Sequence, residues 1–261
     1  MHPVLFRIGS LVIPAYGALA ALGVLLALAL AQRTARVAAL PVHHVWNLCV
    51  LALCAALAGS RAVLVALNWT VVRSHPAWLL GLAMIHHPLV TAIGAAFALA
   101  AALLYARRQR MPLARTADAL AAPLALGLAV EQIGALFAGS GYGTGTNLPW
   151  AVTYTSPLAG RWSGTPLFVP LHPVQAYAAL AFFLVALALL AAMPRVRQAG
   201  DLAGAALIAI GAAIYFTEFF RDLEGRGAIL RGLLDGPQIA AIVLVLAGGC
   251  LLLDRRARVS A

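Results

Sequence analysis

The sequence predicts an all-α, polytopic membrane protein of seven transmembrane helices, N-out and C-in. Three observations carry that prediction. The first is composition: of 261 residues, 63% are hydrophobic and 10% charged, with a mean hydropathy of +0.94, far more apolar surface than a water-soluble domain needs. The second is pattern. Seven apolar runs can be drawn, at about 13–31, 45–67, 89–105, 116–138, 174–193, 202–220 and 239–253, each near the length that crosses a bilayer as a helix. The third is the placement of arginine. There is no lysine, so all 18 basic residues behind the net charge of +10 are arginines, and they collect beside alternate ends of the runs.

The runs justify themselves in order. Run one has no basic segment ahead of it and is followed by Arg33 and Arg36, so it reads as a retained span rather than a cleaved signal peptide. With the N-terminus outside, the inner segments hold Arg33, Arg36, Arg107, Arg108, Arg110, Arg115, Arg195, Arg197, Arg255, Arg256 and Arg258. The outer segments hold Arg7, Arg73, Arg161, Arg221, Arg226 and Arg231, and Arg61 falls within run two. Eleven against six favours N-out and C-in, because basic residues stay on the cytoplasmic side. The three arginines between Arg221 and Asp235 run against the rule and point to another use. Residues 1–261 form one seven-helix domain, with a long outer loop at about 139–171 whose Trp150, Tyr154 and Trp162 suit a segment lying in the headgroup layer. A basic balance of this kind reflects topology and contact with anionic lipid, not nucleic acid.

Run four carries the most informative stretch. Glu131 and Gln132 sit within an otherwise apolar span, where polar side chains are costly without a partner or a purpose. Glycines at 134, 139, 141, 143 and 145 follow, and let backbone approach other helices or a ligand closely. In the N-out arrangement Tyr16, Arg61, His86, His87, Glu131, Gln132, His172, Gln175, Glu218, Arg221 and Gln238 all fall toward the outer half. A site at the outer interface is the simplest reading.

Each residue has a plain alternative. Arg61 and Glu131 form either a structural ion pair or an anchor in which the guanidinium holds a lipid phosphate by two parallel hydrogen bonds. His86 and His87 either cap run three before Pro88 or supply a general base working near neutral pH. His172, ahead of Pro173, reads first as a residue at a helix start. Gln175 and Gln238 bind headgroups or satisfy backbone. Glu218, Arg221 and Asp222 share a helix face and form a local ion network, structural or catalytic. No metal is predicted, since histidines and cysteines lack ligand spacing; no cofactor is predicted either. Cys49, Cys54 and Cys250 read as free thiols in apolar runs, and no GxSxG elbow suggests a serine hydrolase.

These residues resemble, in order along nearly the whole chain, the bacterial prolipoprotein diacylglyceryl transferases. Residues 2–17, HPVLFRIGSLVIPAYG, are similar to the opening segment of that family and place Tyr16 on its important tyrosine. AGSRAVLV (58–65), GTGTNLPWAV (143–152), HPVQAY (172–177), YFTEFFRD (215–222) and DGPQIAAI (235–242) resemble five later segments. The resemblance implies a bacterial inner-membrane enzyme that moves diacylglycerol from phosphatidylglycerol, or another anionic phospholipid, to the lipobox cysteine in a prolipoprotein signal peptide. It implies His86, His87 and Tyr16 as catalytic residues. Arg61, Glu131, Gln132, Gly134, Gly139, His172, Gln175, Glu218, Arg221 and Gln238 are then substrate-binding. The chain departs from the family pattern in run four, where Gln132 stands for an arginine, Ala135 and Ala138 for asparagines and Ser140 for a glutamate. Gly134 and Gly139 are kept. A non-catalytic lipid- or partner-binding paralogue is therefore the alternative, and a transporter a more distant one, because the polar residues crowd one side rather than lining a path through the midplane.

Overall fold

A computed structural model describes residues 2–8, 11–74, 88–196, 198–222 and 234–259. Two short antiparallel strands, β1 (Val4–Ile8) and β2 (Leu11–Pro14), lead into α1 (Ala15–Val37). The next helices are α2 (Val42–Leu67), the short α3 (Trp69–Ser74), α4 (Pro88–Arg108) and α5 (Leu113–Ala138). A connection carrying β3 (Val152–Thr153), α6 (Pro157–Ser163) and β4 (Pro170–Leu171) follows. The chain closes with α7 (Val174–Ala192), α8 (Asp201–Glu218) and α9 (Gly236–Val259). Seven of these helices are long and apolar enough to cross a membrane, one for each apolar run. The protein is a multi-pass membrane protein, and helices suit that setting because each satisfies its own backbone hydrogen bonds.

Helix packing places α5 at the centre. It lies against α1 on one side and α7 on another and also touches α8, while α2 pairs with α4 and α9 with α8. Small residues set how closely α1 and α5 approach. A Cβ on Gly23 would stand 2.9 Å from the Gly127 carbonyl oxygen, and one on Gly134 would stand 3.0 Å from Leu19 Cβ and 3.2 Å from the Tyr16 carbonyl oxygen. Within a bilayer, where apolar burial adds little, such contact is a main source of helix association.

Two polar contacts stitch the opposite end. Pro123 lies inside α5 and has no N–H to offer the carbonyl four residues back, which belongs to Ala119. The Thr34 hydroxyl of α1 donates to that carbonyl at 2.6 Å, so a proline that would otherwise leave a bare acceptor in the bundle is compensated from the neighbouring helix. Asp118, buried in α5, accepts hydrogen bonds from the backbone N–H groups of Gly200 and, at 2.8 Å, Ala203. A carboxylate on one helix thus caps the first turn of α8, where unpaired N–H groups and the helix dipole favour negative charge.

The connection between α5 and α7 is folded. Tyr154, Ala159 and Leu171 make a small core with Tyr142, Val152 and Leu167 packed around it. The Tyr154 hydroxyl donates to the Leu136 carbonyl at 2.8 Å, meeting an acceptor that the end of α5 leaves unpaired. Burial raises the pKa of that hydroxyl well above the ordinary tyrosine value, because the phenolate form would lose its water.

Candidate functional site

The predicted residues that the structure describes gather into separate groups near one end of the bundle. At the α1–α5 contact, Tyr16 Oη donates to Glu131 Oε1 at 2.8 Å and Gln132 Nε2 donates to Glu131 Oε2 at 2.7 Å. Gly134 stands one turn further along α5, and its missing side chain is what lets the Tyr16 backbone come near enough for that bond. All three polar residues are half-buried. Gln132 Oε1 is buried and has no hydrogen-bond partner among the described residues. Sequence reasoning set Arg61 against Glu131; among the described residues the partners of the carboxylate are Tyr16 and Gln132 instead. The physical reason is packing: α2 lies against α4 and to a lesser degree α1, whereas α5 lies against α1. Arg61 occupies a half-buried position on α2 next to buried Gly59 and Ser60.

The second group is built around the glycine-rich loop after α5. Gly139 ends the helix in the left-handed region at φ +82°, which glycine adopts without strain. Thr165 Oγ1 donates to its carbonyl at 2.9 Å. The loop then threads between the start of α7 and the end of α8. Gln175 Nε2 donates to the Ser140 carbonyl at 2.8 Å and Arg221 Nη1 to the Gly141 carbonyl at 2.7 Å. The backbone N–H of Thr144 donates to the Phe220 carbonyl, and that of His172 to the Thr144 carbonyl, both at 2.9 Å. At Gly143 a Cβ would stand 2.5 Å from the His172 carbonyl oxygen and 2.7 Å from that of Phe220, so only glycine passes there.

Arg221 is itself held by Glu218, Nε to Oε1 at 2.9 Å, with the two side chains only 11% and 4% exposed. The ion network expected for the TEFFRD segment is present as this pair, and its cation also fixes the loop. Gln238 lies in a reciprocal cap at the start of α9: its N–H donates to Asp235 Oδ1 at 2.8 Å while its Oε1 accepts from the Asp235 N–H at 3.2 Å, the arrangement of a capping box. Of the two readings open for Gln175 and Gln238, both side chains satisfy backbone.

His172 faces a shallow cavity of about 410 Å³ whose walls include Trp150, Tyr177, Phe216 and Phe220. Trp150 Nε1 donates to the Tyr177 hydroxyl at 2.8 Å, which leaves the tyrosine proton for His172 Nδ1, 3.4 Å away. Predicted catalytic residues His86 and His87 lie outside the described residues. Sequence reasoning missed Tyr154, Thr165 and Asp235 as supports of this end. An Asp-x-x-Gln signal for the cap was present at Asp235 and Gln238, whereas nothing local marks Tyr154 as the partner of a carbonyl 18 residues away.

Comparison with known proteins covers nearly the whole chain. The family model described as prolipoprotein diacylglyceryl transferase matches residues 3–253. The chain is 27% identical over 251 residues to the phosphatidylglycerol–prolipoprotein diacylglyceryl transferase of Clostridium tetani, covering 95% of each chain. It is 26% identical over 254 residues to the protein of the same name from Finegoldia magna, covering 95% of this chain and 93% of that one. To the Synechococcus elongatus protein of that name it is 36% identical over 149 residues, 57% of this chain and 50% of the other.

Proposed function

Because the chain belongs to the prolipoprotein diacylglyceryl transferase family, we propose that it transfers a diacylglyceryl group from phosphatidylglycerol to the cysteine thiol of a prolipoprotein, in lipoprotein biosynthesis. The observation that supports this reading best is convergence: a family match over almost the full length, and motif residues from α1, α5, α7 and α8 meeting near one end of seven membrane-spanning helices. The arginine count favours that end outside and the C-terminus inside, and the family reading implies a bacterial inner membrane, where the signal peptide of a prolipoprotein presents its cysteine.

In this reaction the thiol loses its proton and the thiolate attacks the glyceryl carbon bonded to the phosphate oxygen. A carbon–sulfur bond forms, the carbon–oxygen bond breaks, and glycerol phosphate leaves with the electron pair. The chain must supply a base and positive charge near the leaving group. His86 or His87 is our choice for the base and Arg61 for the phosphate. Arg221 acts at one remove, because Nε and Nη1 are engaged by Glu218 and the Gly141 carbonyl. Its charge holds the loop in place. Tyr16 orients the Glu131 carboxylate. The test is release of glycerol phosphate by purified protein in detergent, given phosphatidylglycerol and a lipobox peptide. Release that disappears when the peptide cysteine is changed to serine supports the proposal. No release from phosphatidylglycerol that the protein still binds would overturn it in favour of a non-catalytic lipid-binding role.

A further inference from the structure

We propose that a cavity at the end of the bundle away from the transferase residues holds an aminophospholipid, with an acyl chain between α7 and α8 and the zwitterionic headgroup spanning Arg195 and Asp201. The cavity has a volume of about 790 Å³, and the helices fix its place. Gln175 and Glu218 belong to the start of α7 and the end of α8, whereas Arg195 follows the end of α7 and Asp201 begins α8. The 19 residues of α7 put roughly 28 Å between its two ends, so a lipid seated here is out of reach of the groups assigned to transfer. The arginine count favours this end as the inner one.

Side-chain size shapes the cavity. Ala188 and Ala192 on α7, like Ala205 and Ala209 on α8, are four residues apart and share one face of their helix, and a methyl at each leaves open the space that a leucine would fill. Leu189, Leu202 and Leu252 complete the apolar walls. The lining reaches about two turns into α8, from Asp201 to Ala209, within a span long and apolar enough to cross a bilayer. Hydrocarbon suits such a space, because empty apolar surface forfeits dispersion contacts.

Polar chemistry is confined to the connection between α7 and α8. Among the described residues, the charged groups lining the cavity are Arg195 and Asp201, one of each sign, with Gln198 between them in sequence. Arg195 Nη1 donates to the Ala191 carbonyl, and among the described residues no carboxylate pairs with it, the ion pair formed being Arg221 with Glu218. A phosphodiester fits the guanidinium, and a primary ammonium two carbons further on fits Asp201. The start of α8 is no anion site, since Asp118 already takes the N–H groups of Gly200 and Ala203. A headgroup with negative charge alone would satisfy Arg195 but leave Asp201, with Asp118 at the same helix turn, short of a cation.

The experiment uses the full chain in detergent micelles with phosphatidylethanolamine or phosphatidylglycerol carrying the same diazirine-bearing acyl chain, and maps photocrosslinks by peptide mass spectrometry. Phosphatidylethanolamine is expected to label residues 185–209 about 10-fold more than phosphatidylglycerol, the worth of one charge-assisted contact. Asp201→Asn, which keeps a residue suited to a helix start, is expected to bring the two lipids level. Ala205→Phe, at an exposed position lining the cavity, is expected to remove labelling of 185–209 by both. Equal labelling by the two lipids in the wild type overturns the proposal, as does a preference that survives Asp201→Asn. Labelling of 185–209 that survives Ala205→Phe puts the chain outside the cavity and overturns it too. O-phosphoethanolamine, the headgroup without its chains, competing as strongly as the lipid would give the site to a soluble ligand instead. Each readout is independent of transfer, so a chain that transfers nothing yet labels as expected sinks the transferase reading and leaves this one standing.

Discussion

Two polar groups lie toward the same end of the bundle and differ in how completely they are satisfied. Around the glycine loop nearly every donor named has an acceptor: Arg221 between Glu218 and Gly141, Gln175 on Ser140, Thr165 on Gly139, Tyr154 on Leu136. At the α1–α5 contact the carboxylate of Glu131 has unfilled acceptor positions and Gln132 Oε1 is buried without a partner among the described residues. A satisfied network fixes geometry, and a buried unmatched acceptor costs about 1–3 kcal/mol that a ligand can return. The contrast teaches that charged residues in a membrane site divide into those that hold backbone and those that await a ligand. Arg221 is of the first kind, and the unfilled acceptor positions of Glu131 and Gln132 are what the second kind requires.

The contrast can be broken in several places. The largest effect is expected for Arg221→Met, which removes the cation paired with Glu218, a residue only 5% exposed. Stability should fall by about 3–5 kcal/mol, measured as loss of detergent-solubilised folded protein on heating. A loss under 1 kcal/mol would mean that the pair does not organise the loop. Gly143→Ala should cost about 1–3 kcal/mol, since the new methyl would meet two backbone carbonyls rather than a side chain able to turn away. Limited proteolysis between residues 139 and 171 is the check, and cleavage no faster than in the wild type would count against the threading described.

Tyr154→Phe should be the mildest of the three, about 1 kcal/mol for a hydrogen bond lost at a carbonyl on the helix end. It also sharpens a pH effect. The folded-state pKa of Tyr154 is raised by burial, so its contribution is complete below the unfolded value of about 10 and is lost as pH climbs beyond it. The wild type should therefore lose stability more steeply above pH 10 than the phenylalanine variant. Identical slopes would show that the hydroxyl is not shielded.

Much of this was legible in the sequence. All seven spans were, because apolar runs of bilayer length have few other uses. Their ends were less so: α1 runs on through Arg33 and Arg36 to Val37, and α5 starts at Leu113, before the apolar run begins at about residue 116, since polar residues stop a hydropathy run without stopping a helix. The β1–β2 pair was not anticipated, although Gly9 and Ser10 between two short apolar stretches are a hairpin signal. The site residues could be placed toward one end but not partnered. Depth in the membrane suggested Arg61 for Glu131, whereas packing of α1 against α5 gives it Tyr16. Long-range partners such as Asp118 with the start of α8, or Thr34 with the carbonyl freed by Pro123, depend on which helices touch, and one sequence does not carry that information.

The most direct test of the division between holding and binding residues is the melting temperature of Arg221→Met and Glu131→Ala, each with and without saturating phosphatidylglycerol. Opposite patterns are expected. Arg221→Met should melt well below the wild type without lipid, whereas Glu131→Ala, which gives up the half-exposed Tyr16 and Gln132 hydrogen bonds, should fall less far, yet lose most of the lipid-induced rise. If Glu131→Ala keeps the full rise, or if both variants lose stability and lipid response in parallel, the two groups are one structural network and the division is wrong.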